Sequence, residues 1–175
     1  MIPPEHILKI IAVVGATVAM VTDMRTGKIF NWLTFPLMFL GWILNAAYYG
    51  PAGFGYSFCA TLIGIGFYIC FAAIGVVGMG DVKLMGGIGA LGGPKYVIGV
   101  FLYTCVIGIP HSLLIQYMNY GKNSFAMLMT SFTTGAFRDK TIKQESTEIK
   151  YKFYLGIDIL LGCLLAWGLE IPIGF

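Results

Sequence analysis

The chain has 175 residues, 58% of them hydrophobic and only 11% charged, with a net charge of +3 and a mean hydropathy of +0.82. This balance excludes an ordinary soluble domain and reads as an integral membrane protein in contact with a lipid bilayer. Its basic residues fall in short segments between apolar runs, where they set topology, so no nucleic-acid partner is expected.

The first apolar run, about residues 6 to 22, is close to the about 20 residues that cross a bilayer. Its leading segment carries Glu5 and Lys9 and lacks a basic n-region, so it reads as a retained first helix and not as a cleaved signal. It closes on Thr22-Asp23-Met24-Arg25-Thr26-Gly27-Lys28-Ile29-Phe30-Asn31, a carboxylate at a mouth lined with basic and amide groups.

Runs at about 32 to 50 and about 54 to 77 give a second and a third span. The third ends at Gly78-Met79-Gly80-Asp81-Val82-Lys83, where glycines frame an ionisable residue that is expensive to keep at a membrane boundary. From Asp81 to Gly93 the apolar part covers about 11 residues, or about 16 Å of helix, too short to span unaided. That stretch reads either as re-entrant or as a short fourth helix that starts below the membrane surface after an unwound Gly78 to Asp81 segment. Gly86, Gly89, Ala90 and Gly93 recur on it at three- and four-residue spacing, a smooth face for a close neighbour. Runs at about 96 to 118 and about 153 to 173 complete the set.

Loop charge favours the short helix. With six spans and the N-terminus outside, Arg25, Lys28, Lys83, Lys122, Arg138, Lys140, Lys143, Lys150 and Lys152 are cytoplasmic, and only Lys9 and Lys95 lie outside. The expected fold is therefore all-α: one polytopic membrane domain over 1–175, with six transmembrane helices, a Gly-rich fourth helix and an interrupted G-x-G-D segment. Asp23 and Asp81 then share the cytoplasmic side. In the loop 119–152, Phe125, Leu128, Met129 and Phe132 at helical spacing predict a helix lying on the membrane surface.

Cys59, Cys70, Cys105 and Cys163 lie inside apolar runs without a C-x-x-C pair, so they read as small buried hydrophobes, with no metal site and no disulfide framework. Asp158 inside the last run reads as a buried packing residue, and His111 after Pro110 as a partner for carbonyls freed at the proline.

Two aspartates at membrane boundaries suit peptide hydrolysis. One carboxylate takes a proton from water while a carboxylic acid polarises the scissile carbonyl, and like charges in a low dielectric share a single proton between them. Gly78 and Gly80 would let an extended substrate backbone lie against the motif. Lys83 could offset the charge of the pair or bind a substrate carboxylate, and Asn31 could donate to substrate or orient Asp23. No cofactor is needed for this chemistry. No feature of the chain sets an oligomeric state.

These residues resemble the type IV prepilin peptidases, membrane aspartyl proteases with a G-x-G-D motif. Asp23 to Asn31 is similar to the family's D-x-R-x-x-x-I-P-N, and Gly78 to Leu84 matches its G-x-G-D-V-K-L. By size the chain resembles the compact Tad/Flp pilin type or an archaeal relative. The resemblance implies Asp23 and Asp81 as the catalytic pair and a prepilin as substrate, its short basic leader cut after glycine at the cytoplasmic face of the cell membrane. Phe30 stands where the family usually has proline, a departure that bears on substrate preference. The cysteine-rich domain of larger relatives is missing from this sequence, so N-methyltransferase activity is not expected.

Three other readings stand beside it. Asp81, Asp158 and His111 with a broken helix could line the path of a small proton-coupled transporter, although no similarity between the two halves supports an inverted repeat. A presenilin-type enzyme is disfavoured by helix order and by the lack of a Pro-Ala-Leu string. A non-catalytic pilus-assembly subunit would keep the fold without the chemistry.

Overall fold

The computed structural model describes residues 3–73, 77–120 and 154–169. The predicted surface helix in 119–152 and all of the basic residues of that loop lie outside the described residues. Among the described residues all regular structure is helical: α1 (Pro4–Thr26), α2 (Asn31–Ala73), α3 (Met79–Tyr120) and α4 (Leu155–Gly168). The first three are long and apolar enough to cross a membrane.

Two of these helices fold back on themselves, each at a glycine followed by proline. Gly50 has φ 68° and ψ −157°, and Gly93 has φ 83° and ψ 176°. Positive φ favours glycine, and the residue before a proline is pushed to extended ψ. Pro51 and Pro94 then open a new helix at the position where a missing N–H costs nothing. The consequence is visible across α2: Trp42 Nε1–H donates to Thr61 Oγ1 at 2.9 Å, whereas in a straight helix their 19-residue separation would span about 28 Å. In α3, Met85 and Val97 from opposite arms both press on Gly64 of α2.

The first arm of α3, 79–92, is the centre of the bundle. Leu84, Met85, Ile88, Ala90 and Leu91 on it are all buried. Small residues permit the approach of both arms of α2. A Cβ at Gly41 would come within 2.7 Å of the Ala90 backbone, one at Gly64 within 2.6 Å of the Met85 carbonyl, and one at Gly86 within 2.7 Å of Met38. The predicted smooth face of Gly86, Gly89 and Ala90 is thus in use, and Gly93 serves as the hinge. The Ala90 carbonyl, at the end of this arm, accepts from both Asn45 Nδ2 and Ser57 Oγ.

Helix α1 packs mainly on α4 and α3 and only lightly on α2, its neighbour in sequence. At one end Trp167 Nε1–H of α4 donates to His6 Nδ1 of α1 at 3.3 Å. Large apolar side chains cover the outside of the bundle, with Ile43 63%, Val106 69% and Ile109 62% exposed. Such a surface suits lipid and not water. The cysteines depart from expectation: Cys163 is buried, Cys105 intermediate, and Cys59 and Cys70 are exposed. An apolar run in a membrane bundle has an outward face as apolar as its inward one, so hydropathy alone did not place them.

Candidate active site

Asp23 stands in the last turn of α1. Gly27, with φ 66°, ends the helix in the left-handed conformation, and its N–H donates to the Asp23 carbonyl at 2.7 Å. The chain then runs through Ile29 to Asn31, the first residue of α2. This connection passes beneath the second motif: a Cβ on Gly80 would meet Ile29 Cβ at 2.9 Å and the Ile29 carbonyl at 3.0 Å. Glycine at 80 is therefore required for the two aspartate segments to touch.

Asp81 opens α3, and the local structure follows the logic of a capping box. The Gly78 carbonyl accepts from the N–H groups of Asp81 at 3.1 Å and Val82 at 3.3 Å. The Asp81 side chain reaches back, its Oδ2 accepting from the Gly78 N–H at 3.2 Å. Asp81 Oδ1 is buried and has no hydrogen-bond partner among the described residues. A buried acceptor left unpaired costs about 1–3 kcal/mol. Packing alone gives no reason to keep it.

Asp23 and Asp81 stand at the same end of the bundle, within electrostatic reach of each other. Each has its Oδ2 held by a glycine N–H, since Gly156 in the first turn of α4 donates to Asp23 Oδ2 at 3.2 Å. A Cβ on Gly156 would lie 3.2 Å from that same oxygen and 3.1 Å from the Met20 Cα. Two helix N-termini, those of α3 and α4, thus converge on the carboxylate pair, the end of a helix that suits negative charge. Sequence reasoning missed Gly156, because a backbone donor leaves no mark in a side-chain motif.

Lys83 and Asn31 were expected to act separately and instead meet each other. Lys83 Nζ donates to Asn31 Oδ1 at 2.9 Å and lies 5.3 Å from the centre of the Phe35 ring. Gly78 is exposed beside Asp81, and a Cβ there would come 3.0 Å from Asp81 Oδ2. His111 turns its Nδ1 to Asp158, 2.9 Å and 3.1 Å from the two carboxylate oxygens, a pairing between helices that the sequence did not announce. No group of three or more metal-ligating side chains occurs among the described residues. A cavity of about 630 Å³ opens at the opposite end of the bundle, where Lys9, Tyr49, Tyr56, Lys95 and Tyr96 line it. None of the predicted site residues reaches it.

The profile of the type IV leader peptidase family matches residues 10–113, a stretch that contains both aspartate segments, the Gly50 and Gly93 hairpins and all of the α2 contacts with the centre of the bundle. No curated protein and no solved structure matches the chain significantly. Long apolar helices, an aspartate at the end of each of two helices on the same end of the bundle and this match over residues 10–113 place the chain in the type IV leader peptidase family.

Proposed function

We propose that this protein is an aspartyl endopeptidase that removes the short basic leader of prepilins of the Tad/Flp-like type at the cytoplasmic face of the cell membrane, with Asp23 and Asp81 as the catalytic pair. The observation that carries the reading is the buried, unpartnered Asp81 Oδ1 on a carboxylate within electrostatic reach of Asp23. Both groups stand at the same end of the bundle, each with its other oxygen fixed by a glycine N–H. The family match supports hydrolysis over transport and over a subunit that only retains the fold.

In this mechanism the pair shares one proton. A water molecule lies between the carboxylates; the ionised one takes its proton as the oxygen attacks the carbonyl carbon of the leader glycine, and the protonated one donates to the carbonyl oxygen. The resulting diol collapses: one of its hydroxyls returns a proton to the pair as the amide nitrogen takes one from it, and the C–N bond breaks. One water is consumed, the leader leaves with a new carboxylate, and the mature pilin keeps a free amine. The pair returns to its starting state with one proton.

Gly78, exposed beside Asp81, leaves the motif without a side chain there, so an extended substrate backbone can lie against it, while Gly80 is taken up by its contact with Ile29. Lys83 and Asn31 hold the starts of α3 and α2 together and flank the same mouth. In this reading the two arms of α2, the two arms of α3, α1 and α4 are the six spans, with the N-terminus outside and the site facing the cytoplasm.

The test is the position of the cut. A prepilin co-expressed with this chain should acquire, by N-terminal sequencing and intact mass, a new terminus immediately after its leader glycine, and replacing that glycine by a bulky residue should prevent it. A cut elsewhere, or an unprocessed prepilin, contradicts the proposal.

A further inference from the structure

We infer that Asp158 and His111 form a positioning pair that seats the first turn of α4 against the aspartate site, so that the Gly156 N–H holds Asp23 in register. The inference rests on the peptidase reading and assigns a task to two ionisable groups that the chemistry itself leaves idle.

Asp158 is 1% exposed and sits in an apolar helix, where a carboxylate is costly unless it is paired. Its partner comes from the second arm of α3: His111 Nδ1 lies 2.9 Å from Oδ1 and 3.1 Å from Oδ2, a grip in which one ring nitrogen is shared between both carboxylate oxygens and ties α4 to α3 at this height. The grip is reinforced one and two turns away. Thr104 Oγ1–H donates to the Val100 carbonyl at 2.7 Å and approaches the Asp158 carbonyl at 3.5 Å, and Gly162 packs so closely on this spot that a Cβ would meet Thr104 Oγ1 at 2.5 Å.

Gly156 stands two residues before Asp158, about 3 Å along the helix axis, so the turn that carries the pair also carries the donor to Asp23. The α4 N-cap, Tyr154, contributes no side-chain cap. The same junction reaches the other aspartate. Tyr68, 3% exposed, lies beside Thr104 and within electrostatic reach of Asp81. Asp158 is therefore adjacent to the supports of both carboxylates while touching neither, and a small displacement of α4 withdraws the Gly156 N–H from Asp23. Misplacing a reacting group by about 1 Å can cost about 100-fold in rate.

The experiment measures steady-state prepilin cleavage in proteoliposomes by the full chain and by Asp158→Leu, His111→Leu, the double variant, Asp158→Asn, His111→Asn and Asp23→Ala, each normalised to folded protein by thermal unfolding. The expected result is a kcat lowered about 10- to 100-fold in each Leu variant with KM within about twofold. The double variant should be no worse than the poorer single one. Asn at either position should restore most of the rate, because its amide can keep one hydrogen bond of the pair. A merely structural role would lower the folded fraction and leave kcat per folded molecule unchanged, which overturns the inference, as would a rise confined to KM or an Asn variant no better than Leu. His111 is partly exposed, so His111→Leu carries the test even where Asp158→Leu does not fold. Cleavage by the parent that survives Asp23→Ala removes the peptidase reading and the inference with it; cleavage that needs Asp23 but ignores Asp158 and His111 removes the inference alone.

Discussion

Lys83 Nζ donates to Asn31 Oδ1 at 2.9 Å, a bond between the first turn of α3 and the first residue of α2 that lies beside the Asp81 segment. With the ammonium over the Phe35 ring, it ties together two elements that elsewhere meet through glycine contacts and the Ala90 carbonyl. A side-chain hydrogen bond of this kind is worth about 0.5–1.5 kcal/mol. In a double-mutant cycle, Lys83→Met and Asn31→Ala should each lower thermal stability in detergent, and the double variant should cost about 0.5–1.5 kcal/mol less than the sum of the two. Simple additivity would show that the bond contributes nothing.

Gly78 and Gly80 differ in what a methyl group would strike. At Gly80 it meets Ile29 Cβ and backbone, at 2.9 Å and 3.0 Å, and the connection from α1 to α2 must move. At Gly78 it meets, among the described residues, only the Asp81 carboxylate, at 3.0 Å. Gly80→Ala should therefore lower stability by about 1–3 kcal/mol and cleavage with it, whereas Gly78→Ala should lower cleavage with little loss of stability. Thermal unfolding and prepilin cleavage measured on the same preparations separate the two; equal stability losses would contradict the assignment.

Gly64 and Gly66 form a second contrast within one helix. A methyl on Gly64 would lie 2.6 Å from the Met85 carbonyl, a backbone atom that cannot swing aside, while Gly66 has open space around it. Gly64→Ala is expected to destabilise by about 1–3 kcal/mol through overpacking. Gly66→Ala is expected to be neutral or to stabilise by up to about 1 kcal/mol through helix propensity. A stable Gly64→Ala would show that α2 and α3 do not meet at this register.

The Ala90 carbonyl accepts from both Asn45 and Ser57, and Asn45 Nδ2 also donates to the Gly41 carbonyl at 2.9 Å. A hydrogen bond between membrane helices contributes about 0.6 kcal/mol on average. Ser57→Ala should thus cost about 0.6 kcal/mol and Asn45→Ala more, with the double variant losing more than the sum because the buried carbonyl is left without a partner. Unfolding in mixed micelles measures all three, and a double variant no worse than Asn45→Ala would contradict it.

What could be read from the sequence depended on whether a signal was local. The two aspartates are framed by glycines and basic residues within a few positions, and Gly86, Gly89 and Ala90 repeat at helical spacing, so these were visible before any coordinates. The ends of the apolar runs near 50 and 93 also showed, although Gly93 was read as part of the packing face and not as a hinge. The partner of Asp23 on α4 did not show, because Gly156 acts through its backbone N–H and any residue offers one. Asp158 and His111 are 47 positions apart with no motif linking them, and only the docking of α4 on α3 brings them into reach. Lys83 and Asn31 were each singled out, but the choice between substrate contact and mutual contact lies in how α2 meets α3. Hydropathy misplaced Cys59 and Cys70 for a related reason, since it scores a lipid-facing position and a core position alike.

The most direct test of the account is cleavage of a co-expressed prepilin in membranes by this chain and by Asp23→Ala and Asp81→Ala variants of equal abundance and equal thermal stability. The account predicts processing by the parent and a loss of at least about 100-fold in each variant, the scale on which a positioned acid or base acts. Unchanged processing in either variant would contradict it.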